Sequence, residues 1–224
     1  MATTTGPNII SDGLVMCYDV SNTKCYSGSG TTLYDIGGGS GFTGTLYGSP
    51  TNNLENLNIN FTGNQMLQHN DALNLSYVTV GVVYRKNADN ASSEDIIFNK
   101  ENVWEMKDDG GSLQWALYAN NQSWFWSPVQ SVNNGITYYV TLSYGGNEVR
   151  VHVNGSRVIT YSYPANGTLN QSSSLPKFNS RNGSSGAFEG VGDHRLYHWN
   201  VYNRQLSDTE VLANYNVFKS RYGI

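Results

Sequence analysis

Apolar and polar residues alternate strictly along much of this chain. In "NLNINF", Leu57, Ile59 and Phe61 fall on one side and the asparagines on the other, and "YVTVGVVY" from Tyr77 to Tyr84 repeats the pattern. A period of two predicts half-buried β-strands. The stretch "GITYYVTLSYGGNEVRVHVNGSRVITYSY" holds three such runs, separated by Gly145-Gly146-Asn147 and by Asn154-Gly155. Asn-Gly between alternating runs signals a two-residue hairpin, so this stretch predicts a meander. Shorter runs at Leu14 to Tyr18, Asp95 to Asn99, Val103 to Lys107, Leu113 to Leu117, Ser123 to Trp126 and Phe188 to Tyr202 are cut by Gly, Asn or Asp. Many short strands at regular spacing predict an all-β, two-sheet antiparallel jelly-roll sandwich.

The period changes only at the end, in "QLSDTEVLANYNVFKSRYGI". Ser207 and Glu210 have the spacing of a capping box, with Leu206 and Val211 as the hydrophobic staple. Val211, Leu212, Tyr215 and Phe218 share one face, Lys219 and Arg221 suit the negative end of the dipole, and Gly223 suits the stop. A helix over residues 208–221 is predicted, covering an edge or open end of the sandwich.

Composition narrows the functional classes. The chain has 224 residues, 13% of them charged, with a net charge of −4. That balance excludes a polyanion-binding bias and hence a nucleic-acid partner. No apolar run is long enough to insert in a bilayer, and "MATTTGPNIISDG" lacks the basic start and apolar centre of a signal peptide, so synthesis in the cytoplasm is expected. One domain over residues 12–224 follows a polar arm at residues 1–11. Cys17 and Cys25 are the only cysteines. They read either as a short-loop disulfide or as a small buried residue and an unrelated loop thiol.

Three segments together resemble a known family. "DGLVMCYDVSNTKCYSGSGTTLYDIGGGSGFTGTL", "VTLSYGGNEVRVHVNG" and "GAFEGVGDHRLYHWNVYNRQLSDTEVLANYNVFKSRYGI" are similar to the opening, middle and end of concanavalin A-like, laminin-G-like domains of bacteriophage virion structural proteins of the cyanophage type. The resemblance implies a jelly roll whose relatives bind sugars, hydrolyse glucans or build virions. It further implies assembly in a host cytoplasm, a place in the capsid decoration, head fibre or tail, virion proteins and copies of itself as partners, and host-surface glycans as a further partner class. The chain departs from the family pattern at "IGGGSG" and at Asp193-His194-Arg195.

The candidate chemistry is sparse. Glucanases of this fold need two nearby carboxyl groups on one face, commonly in a Glu-x-Asp-x-Glu alternation, and that alternation is missing. Glu101 and Glu105 in "ENVWEMKDD" come nearest to it and are read as surface charge. Asp193-His194 has no accompanying nucleophile motif. Asp89, Glu94, Asp95, Asp108 and Asp109 cluster oxygen ligands of the kind calcium takes, without the spacing of a defined loop. His69, His152, His194 and His198 lack zinc spacing. The most suggestive stretch is "WALYANNQSWFWSPVQ". There Trp124 and Trp126 project from one face of a strand opposite Phe125, beside Tyr118 and the amides of Asn120, Asn121 and Gln122. Flat aromatic faces and amides suit a sugar, and the same rings suit core packing or subunit contact. The leading expectation is a non-enzymatic virion protein with a lectin-like surface. A free-standing lectin or adhesin and a glycoside hydrolase are the alternatives.

Overall fold

The computed structural model describes residues 8–37, 41–53, 57–88, 94–119, 124–163, 167–182 and 188–224. Two eight-stranded antiparallel sheets face each other across one shared core. The first runs β14 (Ser156–Ser162), β13 (Glu148–Val153), β12 (Thr137–Tyr144), β7 (Val78–Ala88), β18 (Asp193–Tyr202), β5 (Asn58–Phe61) and β4 (Thr51–Asn53), with β1 (Leu14–Asp19) also paired to β18. The second runs β11 (Phe125–Ser131), β10 (Ser112–Leu117), β9 (Trp104–Asp109), β8 (Asp95–Lys100), β15 (Lys177–Phe178), β6 (Met66–His69), β3 (Thr43–Tyr47) and β2 (Thr32–Tyr34). A short ribbon pairs β16 (Arg181–Asn182) with β17 (Phe188–Glu189). The helix α1 (Asp208–Tyr222) closes the chain.

The hairpin prediction holds in detail. Asn154 and Gly155 both take positive φ (50° and 77°), as a type I′ turn requires, and Asn154 Oδ1 accepts a hydrogen bond from Tyr139 N at 2.9 Å. Pro128, which cannot donate to a ladder, sits on β11 at the edge of its sheet.

Two central strands differ from the half-buried expectation. β7 sends Val78, Val80, Val82 and Tyr84 into the sandwich, yet its alternate residues Thr79, Gly81 and Val83 are buried as well. The cause is α1, which packs over the outer face of this sheet with Val83, Tyr139, Tyr197, Tyr202, Val211, Val217 and Phe218 in one apolar cluster. Gly81 lies beneath that cluster, where a Cβ would come 2.5 Å from Asn200 Oδ1, so only glycine fits. In "NLNINF", Leu57 takes φ 55° and precedes the strand, while Asn58 is buried rather than solvent-facing.

The helix start follows the sequence closely. The Ser207 side chain accepts from Glu210 N, and the Glu210 carboxylate accepts from Ser207 N at 2.8 Å. Arg204 grips the same carboxylate through two nitrogens and holds its pKa down to about 2. The buried face is Val211, Asn214, Val217 and Phe218, whereas Leu212 is 46% exposed and leaves the predicted stripe. Asn214 is inward because its amide bridges two elements. Its Oδ1 accepts from Ile10 N at 2.8 Å and its Nδ2 donates to Tyr202 Oη at 3.0 Å. Ile9 and Ile10, read from sequence as part of the arm, therefore pack against this cluster. Residues 1–7 lie outside the described residues.

Both thiols are free and buried. Burial pushes the Cys25 thiol up to about 12, and the Cys17 thiol is also raised. Such thiols are inert packing residues.

Candidate functional site

The outer face of the second sheet collects the polar and aromatic residues that the core does not use. On β9, Trp104, Met106 and Asp108 point inward, so Glu105 and Lys107 point outward. On β11, Phe125 packs inward against Tyr161, with ring centroids 4.2 Å apart, and Trp126 points out. Cross-strand partners share a face, and Trp126, Ala116, Glu105 and Asn99 stand opposite one another on four successive strands.

Trp124 and Trp126 do share a face, as the alternation predicted. Their ring centroids lie 5.9 Å apart at an interplanar angle of 30°. Tyr118 stands beside Trp124 at the same 5.9 Å and 31°, so three rings form a short ladder along the sheet edge. Trp126 is 38% exposed, which rules out a purely core role for this ring. Asn120, Asn121 and Gln122, the amides expected beside the rings, lie outside the described residues. Lys107 Nζ sits 4.7 Å from the centre of the Trp126 ring, a cation–π contact that links the ladder to the charged centre of the sheet.

That centre is an ion network. Glu94 Oε1 is 2.6 Å from Lys107 Nζ, and its other oxygen contacts Arg181. Burial alone would raise the Glu94 pKa, but the two cations outweigh it and hold the carboxyl below its ordinary value. Arg181 Nη1 also lies 3.5 Å from Glu105 Oε1. Glu105 is 2% exposed, and burial pushes its carboxyl up to about 7, against Arg181 and the Asn99 amide. Asn99 Nδ2 donates to Glu105 Oε2 at 2.6 Å and reaches Glu101 Oε2 at 3.5 Å, so two carboxyl groups share one donor. Glu105 is thus not the surface charge that its sequence context suggested. Alternation in "VWEMKDD" placed it on the outer face, but nothing local announced Asn99 or Arg181 as its neighbours.

The acidic residues considered for calcium divide between the two faces. Asp95 and Asp108 turn into the sandwich, 2.8 Å and 3.1 Å from Lys86 Nζ. Glu94 is taken up on the outer face, Asp109 lies 3.8 Å from Lys107, and Asp89 is outside the described residues. Among the described residues, no three His, Cys, Asp or Glu side chains converge as a metal site. The four histidines are all buried; His194 Nδ1 lies 2.7 Å from Asn179 Oδ1, within the packing of Tyr84 and Phe178.

The fold is a jelly-roll-like β-sandwich closed by one C-terminal helix. No protein-family model matches the sequence, and no curated protein is similar to it. Similar solved structures include the receptor-binding domain of botulinum neurotoxin mosaic serotype C/D, at TM-score 0.70 and 13% identity over 92% of this chain and 51% of that one. The binding domain of Paraclostridial Mosquitocidal Protein 1 follows at TM-score 0.64 and 17% identity, over 92% and 52%. A third belongs to botulinum neurotoxin type C, whose cell entry is described as dependent on two ganglioside molecules, at TM-score 0.66 and 13% identity, over 92% and 51%. The chain spans about half the length of each of these structures.

Proposed function

We propose that this domain is a non-enzymatic binding module that takes glycans on the Tyr118, Trp124 and Trp126 ladder and is displayed on a bacteriophage particle. The observation that carries the binding role is the exposed Trp126 ring, stacked beside Trp124 and backed by Lys107. Solvent-facing indoles in series offer the apolar faces on which sugar rings stack, and the partly exposed Glu94 carboxylate beside Lys107 offers a partner for hydroxyls. Structural likeness to toxin domains that bind receptors supports a binding role, and the three sequence segments supply the particle context. Virion proteins and further copies of this chain are the partners expected there.

A glycan array is expected to give signals that Trp124→Ala and Trp126→Ala each reduce roughly ten-fold, the size of a central aromatic contact. Signals unchanged in both variants would refute the ladder. For the particle context, peptides of this chain should appear in purified virions, and particles without them would count against display.

One observation favours a hydrolytic reading. Glu101 and Glu105 meet at one amide, and Glu105 has the raised pKa of a general acid. Burial of Glu105 and its engagement by Arg181 weigh against attack on a bound sugar. Reducing-end release from soluble glucans that Glu105→Gln abolishes would establish hydrolysis; no release supports the binding role.

A further inference from the structure

The outermost strand of a sheet presents a row of unpaired N–H and C=O groups, and proteins blunt such edges with short strands, proline or a covering segment. Most edges here are blunted. β2 and β4 are three residues long, and β11 carries Pro128. The far side of β1 is covered at Cys17, whose N donates to Asp35 Oδ1 at 2.8 Å and whose O accepts from Ile36 N at 3.0 Å. β14 is the exception. It ends its sheet and runs for seven residues, "SRVITYS", without proline or lysine. Among the described residues, none of its backbone groups bonds outside the ladder with β13. An edge of this length accepts a further strand.

The register with β13 sorts the side chains of this edge. Val149 and Val151 are core residues, so their partners Tyr161 and Ile159 point inward, while Ser162, Thr160 and Arg157 share the outer face with Glu148, Arg150 and His152. The register shift falls at Val158, which has no directly opposite residue on β13. Arg157 lies 3.3 Å from Asp208 of α1 and is 40% exposed, and Thr160 and Ser162 are exposed and uncharged. The edge thus carries a cation at one end and, beside Ser162 at the other, the Glu148 carboxylate. Arg150 engages only Oε1 of that carboxylate, and Oε2 has no cation beside it among the described residues. Turned against itself, this edge brings unlike ends together.

We infer that a second copy of this chain pairs along β14, antiparallel about a two-fold axis at Thr160, and joins the two eight-stranded sheets into one. Ile159 then stands opposite Tyr161 of the second copy, inner face to inner face, and Arg157 stands opposite its Ser162, one strand from its Glu148. A one-residue slip would oppose the inward Ile159 to the outward Thr160. The axis is perpendicular to the sheet, so both α1 helices stand on one side of the pair and both aromatic ladders on the other. β11 lies over β14, where Phe125 stacks on Tyr161, so the ladders flank the axis. On the glycan reading above, one polymer then meets two ladders and gains avidity. The pairing itself stands apart from that reading and gives a surface to the self-association expected on a particle.

The test is analytical ultracentrifugation of the full chain at rising concentration, where the wild type is expected to sediment as a dimer. Thr160→Lys sets two ammonium groups face to face on the axis and should weaken the dimer by roughly ten-fold. Thr160→Glu should do the same, and an equimolar mixture of the two variants should restore the dimer. Thr160→Cys should cross-link the pair under mild oxidation, because directly opposite residues have the Cα separation of a disulfide and Cys17 and Cys25 are buried. Thr160 is exposed, and unchanged circular dichroism confirms that the variants fold. A wild type that stays monomeric at the highest concentration would overturn the inference and leave the glycan array result standing. A dimer that Thr160→Lys leaves intact, or that Thr160→Cys fails to cross-link, would place self-association on another surface and overturn it equally.

Discussion

Taking the domain from pH 7 to pH 5 is expected to lower its folding stability by about 4 kcal/mol. His69, His194 and His198 are buried, and desolvation lowers their pKa values to about 4, 3 and 4. An unfolded histidine titrates near 6.5, so between that value and the folded ones the unfolded chain binds more protons. The stability these groups confer is complete above the unfolded pKa and is lost as pH falls, by about 2 kcal/mol per histidine at pH 5. Glu105 acts in the opposite direction. Its folded carboxyl, raised to about 7, takes up a proton over this range while an unfolded glutamate does not, which offsets about 2 kcal/mol. Urea unfolding at pH 7, 6 and 5 reads the net loss directly. Glu105→Gln removes the offset and should steepen the fall to about 6 kcal/mol. Stability that is flat or rising toward pH 5 would contradict the buried, neutral state of these histidines.

The second large effect concerns the charged group inside the sandwich. Lys86 on β7 joins Asp95 on β8 and Asp108 on β9, with all three side chains at most 2% exposed, so the cation ties one sheet to the other. Asp108 also accepts from Gly111 N at 2.8 Å, which holds the turn after β9. Lys86→Met keeps most of the volume but removes the positive charge between two buried carboxylates. That should cost about 3–5 kcal/mol, because uncompensated buried charge is far worse than a missing pair. The triple variant Lys86→Met, Asp95→Asn, Asp108→Asn should recover much of the loss, since neutral amides carry no such penalty. Chemical denaturation of the three proteins checks this, and a single variant within about 1 kcal/mol of wild type would mean that the group contributes little.

Elements governed by local chemistry were legible in the sequence. The Asn154-Gly155 turn, the Ser207 and Glu210 capping box and the alternation around Val149, Val151 and Val153 need only neighbours in the chain. What depends on long-range packing was not. α1 buries Asn214 and Val217 in place of Leu212, because Tyr202 and Ile10 wait for the amide on that face. β7 reads as half-buried until the helix is laid over Gly81 and Val83. The two-residue strand β15 carries no periodicity of its own, yet it brings Lys177 between Asn99 and Gln68.

The candidate site divides along the same line. Trp124 and Trp126 were placed on one face by alternation alone. The arrangement of Glu105, Asn99, Arg181 and Lys177 follows from sheet register, which links residues far apart in sequence and which no local pattern specifies. The carboxylates grouped by sequence for calcium were separated by the same cause. Asp95 and Asp108 stand opposite each other and face Lys86, while Glu94 turns outward to Arg181 and Lys107.

The chain holds five tryptophans, and their indole N–H resonances distinguish the ladder from the core in one titration. With a glycan that gives a signal on the array added to the isotopically labelled domain, the Trp124 and Trp126 signals should shift progressively. Those of Trp104, Trp115 and Trp199, each no more than 1% exposed, should stay fixed. Movement confined to the buried indoles, or none at a saturating concentration of a glycan that binds, would place the ligand elsewhere and contradict the aromatic face as the binding surface.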